Sequence, residues 1–337
     1  MALLRFLSIA LFLIFANECT SRELQELTMA ERYDQWLAEH GKSYKSDEEK
    51  LKRFAIFKHN VEFIEKFNAG GEESYKLGIN QFADLTNEEF RVSWTAYKRP
   101  VASSLMAATP FKYENVSYPP SVVDWTEKHV VTNVKDQGTC GSCWAFSAVG
   151  ATEGLWKITK KDLISLSVQE LVDCDTEGED KGCKGGSMED AFKFIINNRG
   201  ITSDLKYPYK GAEQKCDPKK VNSRIATITG YQKVPMNSEK DLMKAVANQP
   251  VAVAIDAGSP TFQFYSSGVY RGTCGTNVNH GVLVVGYGRT NTATKYWLVK
   301  NSWGKKWGEK GFVRMEKNVQ SKEGLCGIAT DCSYPLA

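Results

Sequence analysis

The chain opens on a largely apolar stretch, Met1 to Phe15, with Arg5 as its single charge. An apolar run of roughly ten residues behind one basic residue is the pattern of a secretory signal peptide, and it is shorter than the ~20 residues a membrane span needs. Residues 1–20 are assigned to it, with cleavage between Ala16 and Ser21. The next hundred residues are mostly helical in pattern. Tyr33, Trp36, Leu37 and His40 recur at helical spacing, and a second helix is expected from Asp47 to Asn68, with Ser46 as N-cap and Glu49 as its capping-box partner. Along it Glu49, Arg53, Phe57, Asn60, Ile64 and Asn68 follow steps of three and four, so these side chains form one stripe. Gly78 to Asp84 reads as a short strand, and 100–118, rich in Pro, Ser and Ala, as a linker without a buried core.

From Ser121 the pattern changes twice. Ser142–Thr159 and Ser187–Asn198 read as helices. After them come short β-rich runs: Ile225–Ile228, Val251–Ile255, Gly281–Tyr287, Tyr296–Lys300 and Gly311–Met315. A helical half followed by a β half predicts an α+β protein of two packed lobes, about 119–228 and about 229–337. No internal repeat is present.

Composition narrows the function classes. Of 337 residues 42% are hydrophobic and 25% charged, which suits a globular chain with a sizeable core. A formal net charge of +3 argues against a nucleic-acid binder, and one apolar run against a multi-span membrane protein. Nine cysteines cannot all pair. Cys19 lies near the signal cleavage zone, and none occurs from Arg22 to Arg99. Eight follow from Cys140 onward, in a chain expected to meet an oxidising compartment.

The segment Cys140-Gly141-Ser142-Cys143-Trp144 has three readings: a redox dithiol, half a zinc site, or a structural cysteine beside a reactive one. Zinc lacks a second ligand pair, and no strand of a thioredoxin-like unit precedes the motif. The third fits best, because Cys143 would open a helix whose N-terminal dipole favours a thiolate. A cysteine nucleophile needs a base. Of four histidines, His40 and His59 lie in the cysteine-free region and His129 among charged residues. His280 stands next to Gly281 at the head of an apolar run, placed to face a cleft.

Taken together, Gln137 with Cys140–Trp144, then Asn279-His280-Gly281, then Lys300-Asn301-Ser302-Trp303-Gly304 resemble the active-site blocks of papain-like cysteine proteases in order and spacing. The stripe helix (49–68) resembles the proregion signature of that family, and Gly78, Asn80, Phe82 and Asp84 its partner motif. The likeness spans about Glu31 to Pro335 and resembles plant members of cathepsin L layout. It implies a two-lobed fold with a β-barrel-like second lobe, an inhibitory propeptide over 21–118 and a mature peptidase over 119–337. It implies Cys143 as nucleophile, His280 as general base and Asn301 as the group holding its tautomer, with a thiolate–imidazolium pair in the resting enzyme. Gln137 would donate to the oxyanion and Trp303 would shield the His280–Asn301 bond. A dead relative would have lost one of these groups, and a disulfide oxidoreductase would not need His280.

The resemblance also places Gly185 and Gly186 against substrate backbone, and Met188, Ala254, Val278, Asn279 and Asp331 around the S2 pocket. Asp331 departs from the small neutral residue often found there. It would let the pocket take Arg or Lys as well as apolar P2 groups, unless it points to solvent at the rim. The implied disulfides are Cys140–Cys183, Cys174–Cys216 and Cys274–Cys326, leaving Cys332 without an assigned role and two thiols to titrate in the native enzyme. Asn115 heads an N-glycosylation sequon. Residues 22–118 carry 14 basic and 16 acidic side chains, and 119–337 carry 28 and 23, so the two parts attract weakly until acid protonates carboxylates. Expected partners are protein and peptide substrates, the propeptide itself and cystatin-type inhibitors. No cofactor, metal, nucleic acid or membrane is expected, and the enzyme is expected to be a monomer of the secretory pathway, in a vacuole, a lysosome-like compartment or outside the cell.

Overall fold

The computed structural model describes residues 27–71, 74–99, 110–176 and 178–337. The signal peptide, Cys19 and linker residues 100–109 lie outside them. The chain divides into two compact units, one ending at Lys58 and one running from His59 to Ala337.

In the first unit α1 (Met29–His40) starts at a capping box, Thr28 with Glu31, and buries Tyr33 and Trp36. Helix α2 (Asp47–Ala69) begins where the Glu49 N–H donates to Ser46 Oγ at 3.2 Å. Its stripe packs here through Phe57, whose ring lies 5.0 Å from Tyr33 and 5.3 Å from Trp36. Arg53 and Glu49 pair one turn apart at 3.9 Å.

In the second unit the stripe buries Ile64, and its two asparagines hold backbone. Asn60 donates to the carbonyls of Ala83 (2.8 Å) and Leu85 (2.9 Å), and Asn68 exchanges two hydrogen bonds with Leu77. The segment 78–84 is therefore not the expected strand. Strand β1 (Tyr75–Leu77) ends before it, and the chain then turns, because Asn80 Oδ1 accepts the Phe82 N–H at 3.0 Å and the Asn80 carbonyl accepts the Ala83 N–H. Phe82, Phe90 and Trp94, the last two on α3 (Asn87–Trp94), form an aromatic cluster, in which Phe82 and Phe90 face Trp303 at 5.6 and 5.2 Å.

The helical part comprises α4 (Cys143–Lys160), α5 (Val168–Cys174), α6 (Met188–Asn197) and α7 (Pro218–Val221). Two short helices, α8 (Glu239–Val246) and α9 (Pro260–Gln263), lie among the later strands. The further strands are β2 (Val123–Asp124), β3 (Gly230–Lys233), β4 (Val251–Ile255), β5 (Tyr265–Tyr270), β6 (His280–Arg289), β7 (Lys295–Lys300), β8 (Phe312–Glu316) and β9 (Cys332–Leu336). Their order is β1-β5-β8-β7-β6-β4-β9-β3, with β2 added to β6, and only β5–β8 is parallel. This sheet is open: among the described residues no pairing joins its ends, so the barrel-like second lobe is not a closed barrel. Ile225–Ile228 forms a single bridge, Ile201 with Ala226, because the preceding chain turns back on itself there. Strands β3, β5 and β9 lie outside the expected runs: Gly268 interrupts β5, Pro335 interrupts β9, and β3 carries no fully buried residue to mark it.

The linker also differs from expectation. Phe111 and Tyr113 pack on Tyr334, at 6.3 and 5.3 Å, and the buried Tyr113 hydroxyl donates to Gln249 Oε1 at 2.9 Å. Two aromatic rings in a polar stretch are enough to dock it. The same three disulfides named by resemblance are present: Cys140–Cys183, Cys174–Cys216 and Cys274–Cys326. They close loops of 43, 42 and 52 residues. In the chain-entropy account each removes about 4 kcal/mol of freedom from the unfolded chain.

Candidate active site

Helix α4 packs along β6, and that contact sets the site. Ser147 donates to the Val282 carbonyl at 2.6 Å. Gly150 allows the approach, since a Cβ there would lie 2.8 Å from Leu283 Cδ2. The first residue of α4 is Cys143 and the first of β6 is His280, so the two meet at one end of the contact. Strands β6 and β7 run antiparallel, which brings Asn301, just past β7, beside His280.

His280 Nε2 and Asn301 Oδ1 are 2.8 Å apart, and the same oxygen accepts the Ser302 N–H at 2.8 Å. An amide oxygen accepts only, so Nε2 carries the proton and Nδ1 is the basic nitrogen. Nδ1 has no hydrogen-bond partner among the described residues. Trp303 stacks on the imidazole at 4.5 Å and is fully buried. Cys143 and His280 are fully buried too. Burial pushes the Cys143 thiol up, against the pull of the N–H groups of Gly281, Ala96, Trp144 and Cys143 itself. Burial pulls His280 down to about 4, against the Asn301 bond that favours its charged form. In the closed site burial thus disfavours the charged form of each group.

Gln137 is held from two sides. Its N–H donates to the Ser302 carbonyl at 2.8 Å, and its Oε1 accepts from Ser302 Oγ at 2.7 Å. That leaves Nε2 to the Cys140 carbonyl at 3.2 Å and, at 3.5 Å, the Trp94 carbonyl.

The cleft is occupied by residues 94–98. The Tyr97 N–H donates to the Asn279 carbonyl and the Lys98 N–H to the Gly186 carbonyl, both at 2.9 Å, and Tyr97 forms a parallel bridge with Gly186. Ala96 lies over Gly185, at φ +106°, where a Cβ would fall 2.1 Å from the Ala96 oxygen. Tyr97 reaches on to Asp331, its hydroxyl donating at 2.7 Å. Asp331 is 2% exposed, so it does not point to solvent. Arg99 Nε lies 3.4 Å and Lys233 Nζ 3.7 Å from its carboxylate, and Lys233 also pairs with Glu189. Met188, Ala254 and Val278 are buried. The Asn279 side chain turns the other way, to the Ala257 N–H and to Asp256, so only its backbone faces the cleft.

Comparisons with known proteins now bear on this arrangement. Residues 119–336 match the family described as Papain family cysteine protease. The chain belongs to the papain family. Residues 33–90 match the Cathepsin propeptide inhibitor domain. The chain is 55% identical over 321 residues to the Senescence-specific cysteine protease SAG39 of Oryza sativa subsp. indica, covering 94% of this chain and 93% of that one. It is 49% identical over 337 residues to Vignain of Vigna mungo, covering 98% and 92%. Among solved structures it resembles the recombinant stem bromelain precursor, at 46% identity and TM-score 0.84 over 91% of this chain and 98% of that one. It also resembles the proform of the ragweed pollen allergen Amb a 11, at 43% identity and TM-score 0.84, covering 91% and 94%.

The protein is thus a papain-family cysteine protease made with its own inhibitory propeptide, and the segment across the cleft lies between the two matched regions, 33–90 and 119–336. Papain-family sequence blocks name the central residues but not Ala96 and Tyr97, which carry no motif. Ser302 sits inside a quoted block, yet its hold on Gln137 depends on a contact 165 residues apart. Lys300, beside Asn301, was also missed. It is pulled down to about 8 by burial, eased by Glu153, and donates to the Thr132 carbonyl at 2.8 Å. Glu153 in turn pairs with Lys135 at 3.0 Å.

Proposed function

We propose that Cys143 is the nucleophile of this peptidase and His280 its general base. His280 Nδ1 takes the thiol proton, and Sγ bonds to the carbonyl carbon of an internal peptide bond. The carbonyl oxygen becomes an oxyanion facing Gln137 Nε2–H and the Cys143 N–H, each such donor contributing about 3 kcal/mol. Collapse breaks the C–N bond and the amine leaves with the imidazolium proton. Water, deprotonated by His280, then opens the thioester and returns the thiol. Asn301 keeps the imidazole in the required tautomer and Trp303 keeps water off their bond. The observation that carries this reading is the 2.8 Å His280–Asn301 bond beside a helix-opening cysteine, under a strand of propeptide.

Activation is read as acid-triggered removal of 21–118. Two features support it. Tyr118 is 95% exposed in irregular chain just before Ser121. Buried His280 resists its proton, so acid favours an opened cleft where that proton is accepted: the closed form loses stability as pH falls from 6.5 to about 4. Wild-type precursor at pH 4–5 should be cut near Tyr118–Ser121 while Cys143→Ser stays whole. An intact wild type sinks autoprocessing, and a processed Cys143→Ser sinks the nucleophile.

In the S2 pocket Asp331 and Glu189 face one Lys233, which leaves a net negative charge. The propeptide itself presents Arg99 and Tyr97 there. Acceptance of basic as well as apolar P2 groups is therefore proposed. An Arg/Leu ratio at P2 unchanged by Asp331→Ala would rule it out. Asn115, exposed in a turn, suits glycosylation. Three disulfides support passage through the secretory pathway, with a vacuole, a lysosome-like compartment or the extracellular space as destination. No helix among the described residues is long and apolar enough to cross a membrane. Cystatin-type inhibitors would compete for the same cleft, and the mature enzyme is taken as a monomer.

A further inference from the structure

Ser142 is the N-cap of α4, yet its hydroxyl makes no capping bond. The other cap serines do: Ser167, Ser187, Ser238 and Ser259 each accept the N–H three residues on. Such a bond stabilises a helix start, so its absence at one helix calls for a reason. The Ser142 backbone is not extended as at the other four (φ −98°, ψ 16°), and the hydroxyl turns to Tyr209 instead. Ser142 Oγ lies 2.7 Å from Tyr209 Oη, and Oη donates to the Gln137 carbonyl at 2.8 Å. The phenol has a single proton, committed to Gln137, so Ser142 is the donor in their bond. Its other approach, to the Cys140 carbonyl, is longer at 3.4 Å.

One oxygen thus ties together two segments. One is the residue immediately before Cys143, at the start of α4. The other is the backbone of Gln137, on the loop that precedes the Cys140 disulfide. The Tyr209 ring is fixed by Phe146 on α4, edge to face at 4.9 Å. Burial pushes its hydroxyl up to about 12, with Asp136 and Cys143 adding to the rise and Ser142 opposing it, so it remains a donor through the acid and neutral range. Ser302 holds Gln137 through its N–H and Oε1, and Tyr209 holds it through its carbonyl.

We propose that Tyr209 is a positioning residue for the oxyanion hole, setting the distance between its two donors, Gln137 Nε2–H and the Cys143 N–H. This rests on the reading of Gln137 as an oxyanion donor. Stabilisation by such donors depends on their being held in place before charge develops, so a loosened loop lowers kcat rather than substrate affinity.

The test is a mutant cycle in the acid-matured enzyme with a peptide amide substrate. Tyr209→Phe should lower kcat about 5- to 20-fold and move KM less than about twofold, since it removes a positioning bond and no substrate contact. In a Gln137→Ala background the same change should move kcat less than about twofold, because its effect acts through Gln137. Ser142→Ala cuts the relay from its other end. It should reproduce the kcat defect without adding to Tyr209→Phe, and it carries the cycle alone should Tyr209→Phe fail to fold. Equal losses in both backgrounds, or no loss in the wild type, overturn the role of Tyr209 alone. An unchanged kcat in Gln137→Ala overturns the oxyanion reading and the role of Tyr209 with it.

Discussion

The Tyr97 hydroxyl anchors residues 94–98 in the cleft through Asp331, and removing that one oxygen should loosen the closed form by a calculable amount. Both residues are buried and the bond is 2.7 Å. Burial and the Asp331 charge hold the phenol well above its ordinary range, so it is a donor at every working pH. A hydrogen bond to a charged group contributes about 1.5–3 kcal/mol. Arg99 and Lys233 still face the carboxylate in Tyr97→Phe, which puts the loss near the lower end, about 1.5–2 kcal/mol. At 1.36 kcal/mol per decade that is about a 10- to 30-fold rise in the open population. Cys143 is fully buried beneath residues 94–98, so a thiol reagent reaches it only when they lift. The assay is the rate of Cys143 alkylation by iodoacetamide in intact precursor at neutral pH. A rate in Tyr97→Phe within twofold of wild type would refute the reasoning, because the anchor would then contribute nothing to closure. Enzyme matured by the proposed loss of residues 21–118 supplies the reference rate for an open site.

Three further outcomes follow from buried ionisable groups. Asp180 is held well above the usual carboxylate range by burial and by the facing Asp175, with Asp190 adding to it, while the Ser187 N–H opposes. A raised acid destabilises the fold as pH climbs above the unfolded value of about 3.8, so Asp180→Asn should flatten the fall in Tm between pH 5 and 8; an unchanged slope sinks this. Glu170, raised to about 7 by burial, acts in the same direction between pH 4.5 and 7 and limits how flat the curve becomes. Glu153 accepts from Lys135, Thr132 and the Leu166 N–H beside buried Lys300. Glu153→Ala leaves two ammonium groups uncompensated and should cost about 3–5 kcal/mol in denaturant unfolding; a loss under about 1 kcal/mol contradicts it. Cys332 is a free, buried thiol donating to the Ile328 carbonyl at 3.0 Å, so native titration of the matured enzyme should find one thiol, not two. A second should appear on denaturation; two fast thiols in the native enzyme would mean that β9 opens.

What could be read from the sequence was whatever the chemistry writes locally. Cys143, His280 and Asn301 stand in short blocks with distinctive neighbours, and the stripe on α2 follows from helical spacing alone. The stripe's division of labour did not. Phe57 packs on rings while Asn60 and Asn68 hold the backbone of 77–85, and spacing does not distinguish these uses. The turn at 78–84 was taken for a strand because its alternation hides an Asn80 side chain that bonds the backbone two residues on. Phe111 and Tyr113 were overlooked in a linker because burial there is supplied by Tyr334, more than two hundred residues away. The burial of Asp331 and the turning away of Asn279 are likewise products of long-range packing. Residues 94–98 carry no motif, since pairing with Gly186 and Asn279 uses the backbone.

The central claim is that Cys143 is the nucleophile and that the propeptide keeps it covered. The most direct measurement is labelling with an E-64-type epoxide, in intact precursor and in acid-matured enzyme, with the modified residue mapped by mass spectrometry. The account predicts rapid, single labelling of Cys143 after maturation, loss of peptide hydrolysis in step with it, and little labelling before. Modification at Cys332 or elsewhere, or equal rates in precursor and matured enzyme, would contradict it.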